Sequence, residues 1–147
     1  MKSLAILAAL IFSVHANADD AINCDDLAGL WQGERYNASL GLGITEYAYL
    51  SPDGELSISF IVNDGAHEFR TYQQGRWMCA HGYLTTMIDL IDNVPASATA
   101  TYRIDLLTTD YFNYTLVNLD GAGLDGDEIG SSYENHRLEM ASDGHGC

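Results

Sequence analysis

The sequence predicts an all-β fold, an eight-stranded antiparallel up-and-down barrel. Apolar and polar residues alternate along residues 30–140, turn-forming residues recur at short intervals, and most connections are too short for crossovers. One strand shows the alternation best, with Leu56, Ile58, Phe60 and Val62 on a single face. Closure into a barrel removes the two edge strands that an open sheet would expose. An immunoglobulin-like sandwich is the alternative, but its Greek-key crossovers need longer connections.

The first element along the chain is an export signal. Lys2 gives a short basic start, an apolar run covers residues 4–14, and the segment Ala16–Ala18 fits a small-residue cleavage site. The apolar run is shorter than the roughly 20 residues that a membrane-spanning helix needs, so we expect no membrane span. We therefore expect residues 1–18 to be removed and residues 19–147 to form the barrel domain of a periplasmic or secreted protein.

Turn signals divide the rest of the chain into eight strands. The segments Ser51–Gly54, Ala80–Gly82 and Asp92–Pro95 are rich in Gly, Pro, Asp and Asn, and the dipeptide Asp64-Gly65 is a strong hairpin signal. Between such turns each segment alternates between apolar and polar residues, as a half-buried strand does. The predicted strands are 30–38, 44–51, 55–62, 66–78, 83–91, 98–107, 111–118 and 130–140.

The charge balance excludes some partners and favours another. The 147 residues carry 21 acidic against six basic side chains, a net charge of −15, and loss of the signal with its only lysine changes this to −16. Such a surface repels phosphate backbones and anionic headgroups, so we expect neither nucleic-acid nor membrane-surface binding. The same charge suits an acidic interaction protein or inhibitor of a basic secreted partner, such as a cell-wall lytic enzyme. Solubility or a salty medium would also explain it.

Three motifs resemble those of the lipocalins, a calycin-type family of small secreted β-barrels. Gly29 and Trp31 match the G-x-W of the first strand, and Asp110 and Tyr111 match a T-D-Y turn before the seventh strand. Arg137 matches the arginine near the end of the last strand. The resemblance implies that Trp31 plugs one end of the barrel and that Arg137 packs on its indole. The chain departs from the family in its short first loop and in having no amphipathic helix after the last strand, so we expect a reduced, lipocalin-like barrel.

The alternation also predicts an aromatic, hydroxyl-rich barrel interior. Tyrosines supply apolar walls with polar tips, which is the make-up of a small-molecule pocket. An inward Arg35 needs a carboxylate, such as that of Glu46, or an anionic ligand. We expect a non-catalytic protein without a cofactor that binds a small, mostly apolar or aromatic-compatible ligand. An interior filled by its own side chains is the alternative. The expected ligand-binding residues are Arg35, Tyr47, Tyr49, Phe60, Phe69, Tyr102, Tyr114 and Tyr133.

Three cysteines fall at the same end of such a barrel. An exported chain favours one disulfide among Cys24, Cys79 and Cys147, and the topology lets any two of them meet. The lipocalin resemblance implies Cys79 with Cys147 through the tail, or Cys24 with Cys79 through an N-terminal segment that crosses the barrel end. We favour Cys24 with Cys79. A zinc site is the alternative, in which His81 and His145 would join the Cys79 and Cys147 sulfurs.

The sequence offers no catalytic or calcium-binding motif. Ser131 and Ser132 lie near His136, but there is no G-x-S-x-G elbow, and residues on one strand cannot converge as a triad does. The acidic loop at 120–128 lacks the glutamate spacing of an EF-hand. We therefore predict neither an enzyme nor a metal site.

Overall fold

The computed structural model describes residues 22–121 and 128–139, which form a closed eight-stranded antiparallel barrel. Each strand pairs with the next along the chain, and the last strand pairs with the first. The predicted fold class is confirmed, and the sandwich alternative is wrong. A short 3₁₀ turn, Cys24–Leu27, precedes the barrel. The strands are β1 (Gly29–Asn37), β2 (Leu42–Leu50), β3 (Glu55–Asn63), β4 (Glu68–Ala80), β5 (Tyr83–Ile91), β6 (Val94–Leu107), β7 (Tyr111–Gly121) and β8 (Ser132–Arg137).

The predicted export signal at residues 1–18 and the tail residues His145 and Cys147 lie outside the described residues. All eight predicted strands are present, with ends that agree to within four residues. The largest difference is the start of β6, because the turn before it consists of Asp92 and Asn93 alone. Both have positive φ, 49° and 64°, as a two-residue hairpin turn requires.

The two ends of the barrel differ in their turns. We call one end the mouth, which carries the β1–β2, β3–β4 and β5–β6 turns at residues 38–41, 64–67 and 92–93. We call the other end the floor, which carries the β2–β3, β4–β5 and β6–β7 turns at residues 51–54, 81–82 and 108–110. The 3₁₀ turn before β1 also lies at the floor.

Three of the four largest fully buried side chains lie at the floor: Trp31, Phe112 and Leu27. Trp31 and Leu27 are fully buried, and the Trp31 Nε1 donates a hydrogen bond to the Leu27 carbonyl oxygen at 2.8 Å. The Phe112 ring meets the Trp31 indole edge-on, with the ring centroids 4.7 Å apart. Burial of these large rings removes much apolar surface from water and makes the floor the most consolidated part of the barrel.

Arg137 joins the end of β8 to the floor. Its guanidinium carbon lies 4.2 Å from the centre of the Trp31 ring. The guanidinium donates hydrogen bonds to the carbonyl oxygens of Asp26, Ala28 and Thr109, and the Ala28 bond is 2.8 Å long. One cation therefore connects the N-terminal turn, the β6–β7 turn and the last strand.

The β6–β7 turn carries the Asp110 and Tyr111 of the lipocalin-like motif. The Thr108 hydroxyl oxygen accepts hydrogen bonds from the N–H groups of Asp110 at 3.3 Å and Tyr111 at 3.1 Å. The Asp110 carbonyl oxygen accepts a hydrogen bond from the Arg137 N–H at 2.8 Å. The turn thus holds its own shape and also bonds to the end of β8.

A disulfide joins Cys24 of the 3₁₀ turn to Cys79 near the end of β4. The predicted pairing is confirmed. The bond uses the Cys79 sulfur, so a Cys79–Cys147 pairing and the zinc alternative that needs this sulfur are wrong.

Candidate functional site

The barrel interior combines an apolar lining with a few polar side chains, and it encloses a cavity of about 50 Å³. Its floor side is lined by aliphatic residues such as Leu50, Leu56 and Leu84. A water needs roughly 10–15 Å³ of such volume, so the cavity holds only a few waters and is far below the size of a drug-sized ligand site. The polar and tyrosine side chains of its lining are Arg35, Glu46, Gln73, Thr86, Tyr102, Tyr114, Tyr133 and Asn135.

A cluster of aromatic rings occupies the middle of the lumen. Tyr102 and Tyr114 meet edge-on with centroids 5.1 Å apart, and Tyr133 lies 5.4 Å from Tyr114. Phe112 stacks on Tyr114 at 4.5 Å and so connects the cluster to the floor. These contacts fill most of the interior, which is closer to the filled-lumen alternative than to a wide ligand cavity.

A buried hydrogen-bond chain runs from this cluster to a carboxylate. The Tyr114 hydroxyl donates to Asn135 Oδ1 at 3.4 Å, and Asn135 Nδ2 donates to Glu46 Oε1 at 3.4 Å. Burial raises the pKa of Tyr114 well above its ordinary value, and the negative charge of Glu46 raises it further. Tyr114 therefore keeps its proton and acts as a hydrogen-bond donor.

Arg35 lies at the mouth side of the lumen, between two aromatic rings. Its guanidinium carbon is 4.9 Å from the centre of the Tyr133 ring and 5.8 Å from that of Phe60. The side chain lines the same cavity as Glu46. A nearby carboxylate and the faces of aromatic rings both stabilise a guanidinium that is partly withdrawn from water.

The remaining predicted site residues do not join this cluster. Tyr47 and Tyr49 alternate with Glu46, Ala48 and Leu50, which line the lumen, so both tyrosines face outward and their inward placement is wrong. Tyr49 is 40% exposed.

Phe69 has the inner-face register, opposite Val62 of β3. It is nevertheless 58% exposed, because β4 extends past the lumen at the mouth. Phe60, by contrast, lies in contact with Arg35 as described above.

Three polar lumen residues were missed from the sequence. Gln73 and Asn135 are 6% and 2% exposed, and Thr86 is 9% exposed. The β8 alternation from Tyr133 to Arg137 gives a signal for Asn135. Thr86 has a similar signal, because Leu84 and Ile88 lie on either side of it in the same phase, whereas Gln73 lies between Thr71 and Gly75 and has none.

Among the described residues, the ladder between β1 and β8 covers only part of either strand. Only three residue pairs join these strands, ending at Gly33 with Asn135, whereas nine pairs join β1 to β2. Towards the mouth, a cavity of about 250 Å³ is lined by the inner-face residue Arg35 and also by Glu34 and Glu134, which alternate with inner-face residues. The cavity therefore passes through the wall, and we call this opening the seam.

A second open cavity, of about 450 Å³, lies between the β1–β2 turn and the start of β8. Arg35 and Tyr133 line this cavity, the seam cavity and the inner cavity alike. These two side chains thus stand where the lumen, the mouth and the seam meet.

Within residues 22–121 and 128–139, no group of three or more His, Cys, Asp or Glu side chains is placed to hold a metal ion. No helix among the same residues is long and apolar enough to cross a membrane.

No protein-family model matches this chain, and no curated protein matches it. The closed up-and-down barrel is compatible with a lipocalin-like fold.

Proposed function

We propose that the protein is a non-catalytic binding protein that holds one small ligand at the mouth side of its barrel. The observation that carries the proposal is the convergence of three cavities on Arg35 and Tyr133. Ligand sites combine a concave, mostly apolar wall with a few polar groups that fix orientation. The mouth side of this lumen has that composition.

The cavity volumes limit how the ligand sits. The inner cavity of about 50 Å³ admits only a short apolar group, and the bulk of the ligand occupies the mouth cavity of about 450 Å³. A flat or aromatic body suits the faces of Tyr133 and Phe60, and a polar group on it would meet Arg35 or Glu46. The proposed ligand is therefore small and mostly apolar, with one polar end.

We also propose a reduced lipocalin-like, calycin-type relationship and a periplasmic or secreted location. The first is supported by Gly29, Trp31 and Arg137, which lie together at the floor as the motif implies. The second is supported by the Cys24–Cys79 disulfide, since disulfides persist in oxidising compartments.

Native mass spectrometry of the protein purified from its own compartment, with displacement of a lipophilic fluorescent dye, tests the binding function. We expect a bound small molecule and a dye affinity that falls about tenfold in Arg35→Gln and in Ala48→Leu, which fills the inner cavity. Tyr49→Ala, on the outer face of the strand that carries Ala48, is the matched control and should bind dye like the wild type. Bare polypeptide, together with equal dye binding by all variants, would contradict the proposal.

A further inference from the structure

We propose that the outer face of strands β2, β3 and β4 carries a groove that binds a neutral oligosaccharide, with sugar rings resting on tyrosine faces. The groove lies outside the barrel wall, so the proposal does not depend on a ligand in the lumen. We call it the tyrosine groove. Its residues are Tyr47, Tyr49, Ser57, Ser59, Arg70, Tyr72, Gln74 and Asp92.

The strand register places a serine of β3 between tyrosines of both neighbouring strands. Ser59 pairs with Tyr47 of β2 on one side and with Tyr72 of β4 on the other. Neighbouring strands lie about 4.8 Å apart, so the two tyrosines stand roughly 10 Å apart with a small side chain between them. Such a gap admits one six-membered ring at van der Waals distance from a tyrosine face. The pair Tyr49 and Ser57 extends the same arrangement by about 7 Å along the strands.

A cavity of about 450 Å³ lies over this part of the sheet, and Tyr47, Ser59, Arg70 and Tyr72 are among the residues that line it. Sites for small molecules typically measure about 300–1,000 Å³. Tyr72 is 36% exposed and Tyr49 is 40% exposed. Exposed aromatic side chains at a concave surface are typical of binding sites, because their rings offer a large apolar contact area.

Tyr72 is held in position by its neighbours. Its N–H donates a hydrogen bond to Asp92 Oδ1 at 2.8 Å, and its carbonyl oxygen accepts one from the Asp92 N–H at 2.8 Å. Its hydroxyl oxygen accepts a hydrogen bond from Gln74 Nε2 at 3.3 Å. A ring that is already fixed loses little conformational freedom on binding, which favours affinity.

The polar groups of the tyrosine groove favour a ligand that is rich in hydroxyls. The hydroxyls of Ser57, Ser59 and the tyrosines both donate and accept hydrogen bonds. A saccharide presents donors and acceptors around an apolar ring face, so it can pair with these groups and stack on the tyrosines at once. A purely aromatic or proline-rich ligand would cover the same hydroxyls without giving each a partner.

The charged groups favour a neutral ligand. Arg70, the cation among the residues that line the cavity, pairs with Glu68 at 3.1 Å. The Asp92 carboxylate accepts hydrogen bonds from the Tyr72 N–H and, at 3.1 Å, from the Thr71 hydroxyl. Both charges are therefore already stabilised by the protein. The net charge of −15 also repels anionic sugars.

Isothermal titration calorimetry with neutral pentasaccharides of glucose, mannose and N-acetylglucosamine tests the proposal. We expect at least one to bind with a Kd of about 1 mM or tighter, and its monosaccharide to bind more weakly because it reaches fewer tyrosines. At high ionic strength, neither the cationic glucosamine nor the anionic galacturonate pentasaccharide should bind more tightly than the neutral ligand. Failure of all three neutral pentasaccharides to bind, or tighter binding of a charged one, overturns the proposal.

Variants of the outer face locate the site. Tyr47→Ala and Tyr72→Ala should each weaken binding about tenfold, and Ser59→Tyr should abolish it by placing a ring in the gap. The matched control is Tyr83→Ala, since Tyr83 is 45% exposed on β5 and pairs with Arg103 of β6, outside the groove. It should bind like the wild type. Far-UV circular dichroism and urea unfolding identify the folded variants, and wild-type affinity in all folded groove variants would overturn the proposal.

Two adjacent residues of β2 separate the tyrosine groove from the lumen. Ala48→Leu fills the inner cavity, so we expect it to lose dye binding and keep saccharide binding. Tyr49→Ala changes the outer face, so we expect it to keep dye binding and weaken saccharide binding several-fold. Loss of saccharide binding in folded Ala48→Leu would assign the sugar to the lumen and overturn the groove.

Amide chemical shifts in the presence of the saccharide give an independent location. Changes centred on residues 47–49, 57–61 and 70–74 support the proposal, whereas changes confined to other strands overturn it. An oligoproline peptide is the competing probe. Binding of that peptide at the same amides, with no saccharide binding, would make the groove a polyproline site and overturn the saccharide proposal.

Discussion

Gly29 lies where the first strand passes under the guanidinium of Arg137. Its φ of +138° is a backbone conformation that residues with a Cβ rarely adopt. A Cβ at this position would also collide with Arg137 Nη1, which donates a hydrogen bond to the Ala28 carbonyl oxygen. The glycine of the G-x-W motif is therefore required by the cation that covers the tryptophan.

We predict that Gly29→Ala lowers the free energy of unfolding by about 2 kcal/mol or more, because it combines backbone strain with displacement of Arg137. The matched control is Gly41→Ala. Gly41 has φ +64° with open space around it, so only the strain of about 1 kcal/mol applies. Urea unfolding followed by tryptophan fluorescence measures both. Equal losses in the two variants would show that the contact with Arg137 contributes nothing.

Tyr47 and Tyr49 show where sequence reasoning fails at this scale. Their neighbours Glu46 and Ala48 look less apolar than the tyrosines, so an alternating pattern assigns the tyrosines to the interior. The register decides otherwise, since Ala48 pairs with Trp31 of β1 and with Ile58 of β3 on the inner face. A one-residue change of phase moves every side chain of a strand to the other face. Leu42, Ile44 and Leu50 share the phase of Ala48 and are the local signal for the observed orientation, which the two large tyrosines obscure.

Among the elements, β6 is shaped by a bulge at Asp105. The register with β7 shifts between Ile104 and Leu106, so Asp105 lies opposite no residue of β7. Its carboxylate instead accepts hydrogen bonds from neighbouring side chains. The Thr115 hydroxyl donates to it at 2.5 Å, and Arg103 Nε donates at 2.7 Å. The Thr115 hydrogen bond is the largest cause that lowers the pKa of Asp105, and the hydrogen bond from Arg103 lowers it further.

This bulge predicts acid sensitivity. Because the pKa of Asp105 is lower in the folded protein than its ordinary 3.8, the stabilisation is complete above that pH. It is lost as the pH falls through the folded-state pKa. We predict that Asp105→Asn flattens the decline of unfolding free energy between about pH 4 and pH 2, and that Thr115→Val flattens it in part. Urea titrations at a series of pH values provide the measurement.

Asp64 remains in both variants. Its pKa is also lowered, chiefly by hydrogen bonds from the N–H groups of Ala66 and His67, so part of the acid dependence persists. Curves for the wild type and Asp105→Asn that run parallel over this range would contradict the role of Asp105.

The strands were predictable as elements, and the seam was not. Alternation and turn residues are local properties, so each strand and nearly every hairpin could be located from the sequence. The length of the β1–β8 ladder depends instead on how the registers of all eight strands add up around the barrel. For the same reason the sequence could place Arg35 on an inner face but could not show that it stands beside an opening in the wall.

At the scale of the whole molecule, one covalent bond ties the N-terminal turn to the floor. Cys24 and Cys79 are 55 residues apart in sequence, so the disulfide closes a long loop in the unfolded chain. We predict that Cys24→Ala with Cys79→Ala lowers the free energy of unfolding by about 4 kcal/mol, mainly because the unfolded chain gains freedom. Urea unfolding of the oxidised protein and the variant measures the difference. A loss below about 1 kcal/mol would show that the bond does not limit the unfolded ensemble.

The three carbonyl partners of Arg137 also bear on the order in which the barrel assembles. Its hydrogen bond to the Ala28 carbonyl oxygen spans 109 residues of sequence. The first and last strands can therefore meet only when almost the entire chain is available for folding. Contacts of such high contact order carry a large loop-closure entropy and slow the folding reaction. A polypeptide released residue by residue from a ribosome therefore cannot close its barrel until its eighth strand emerges, and only then can Arg137 reach the Ala28 carbonyl oxygen.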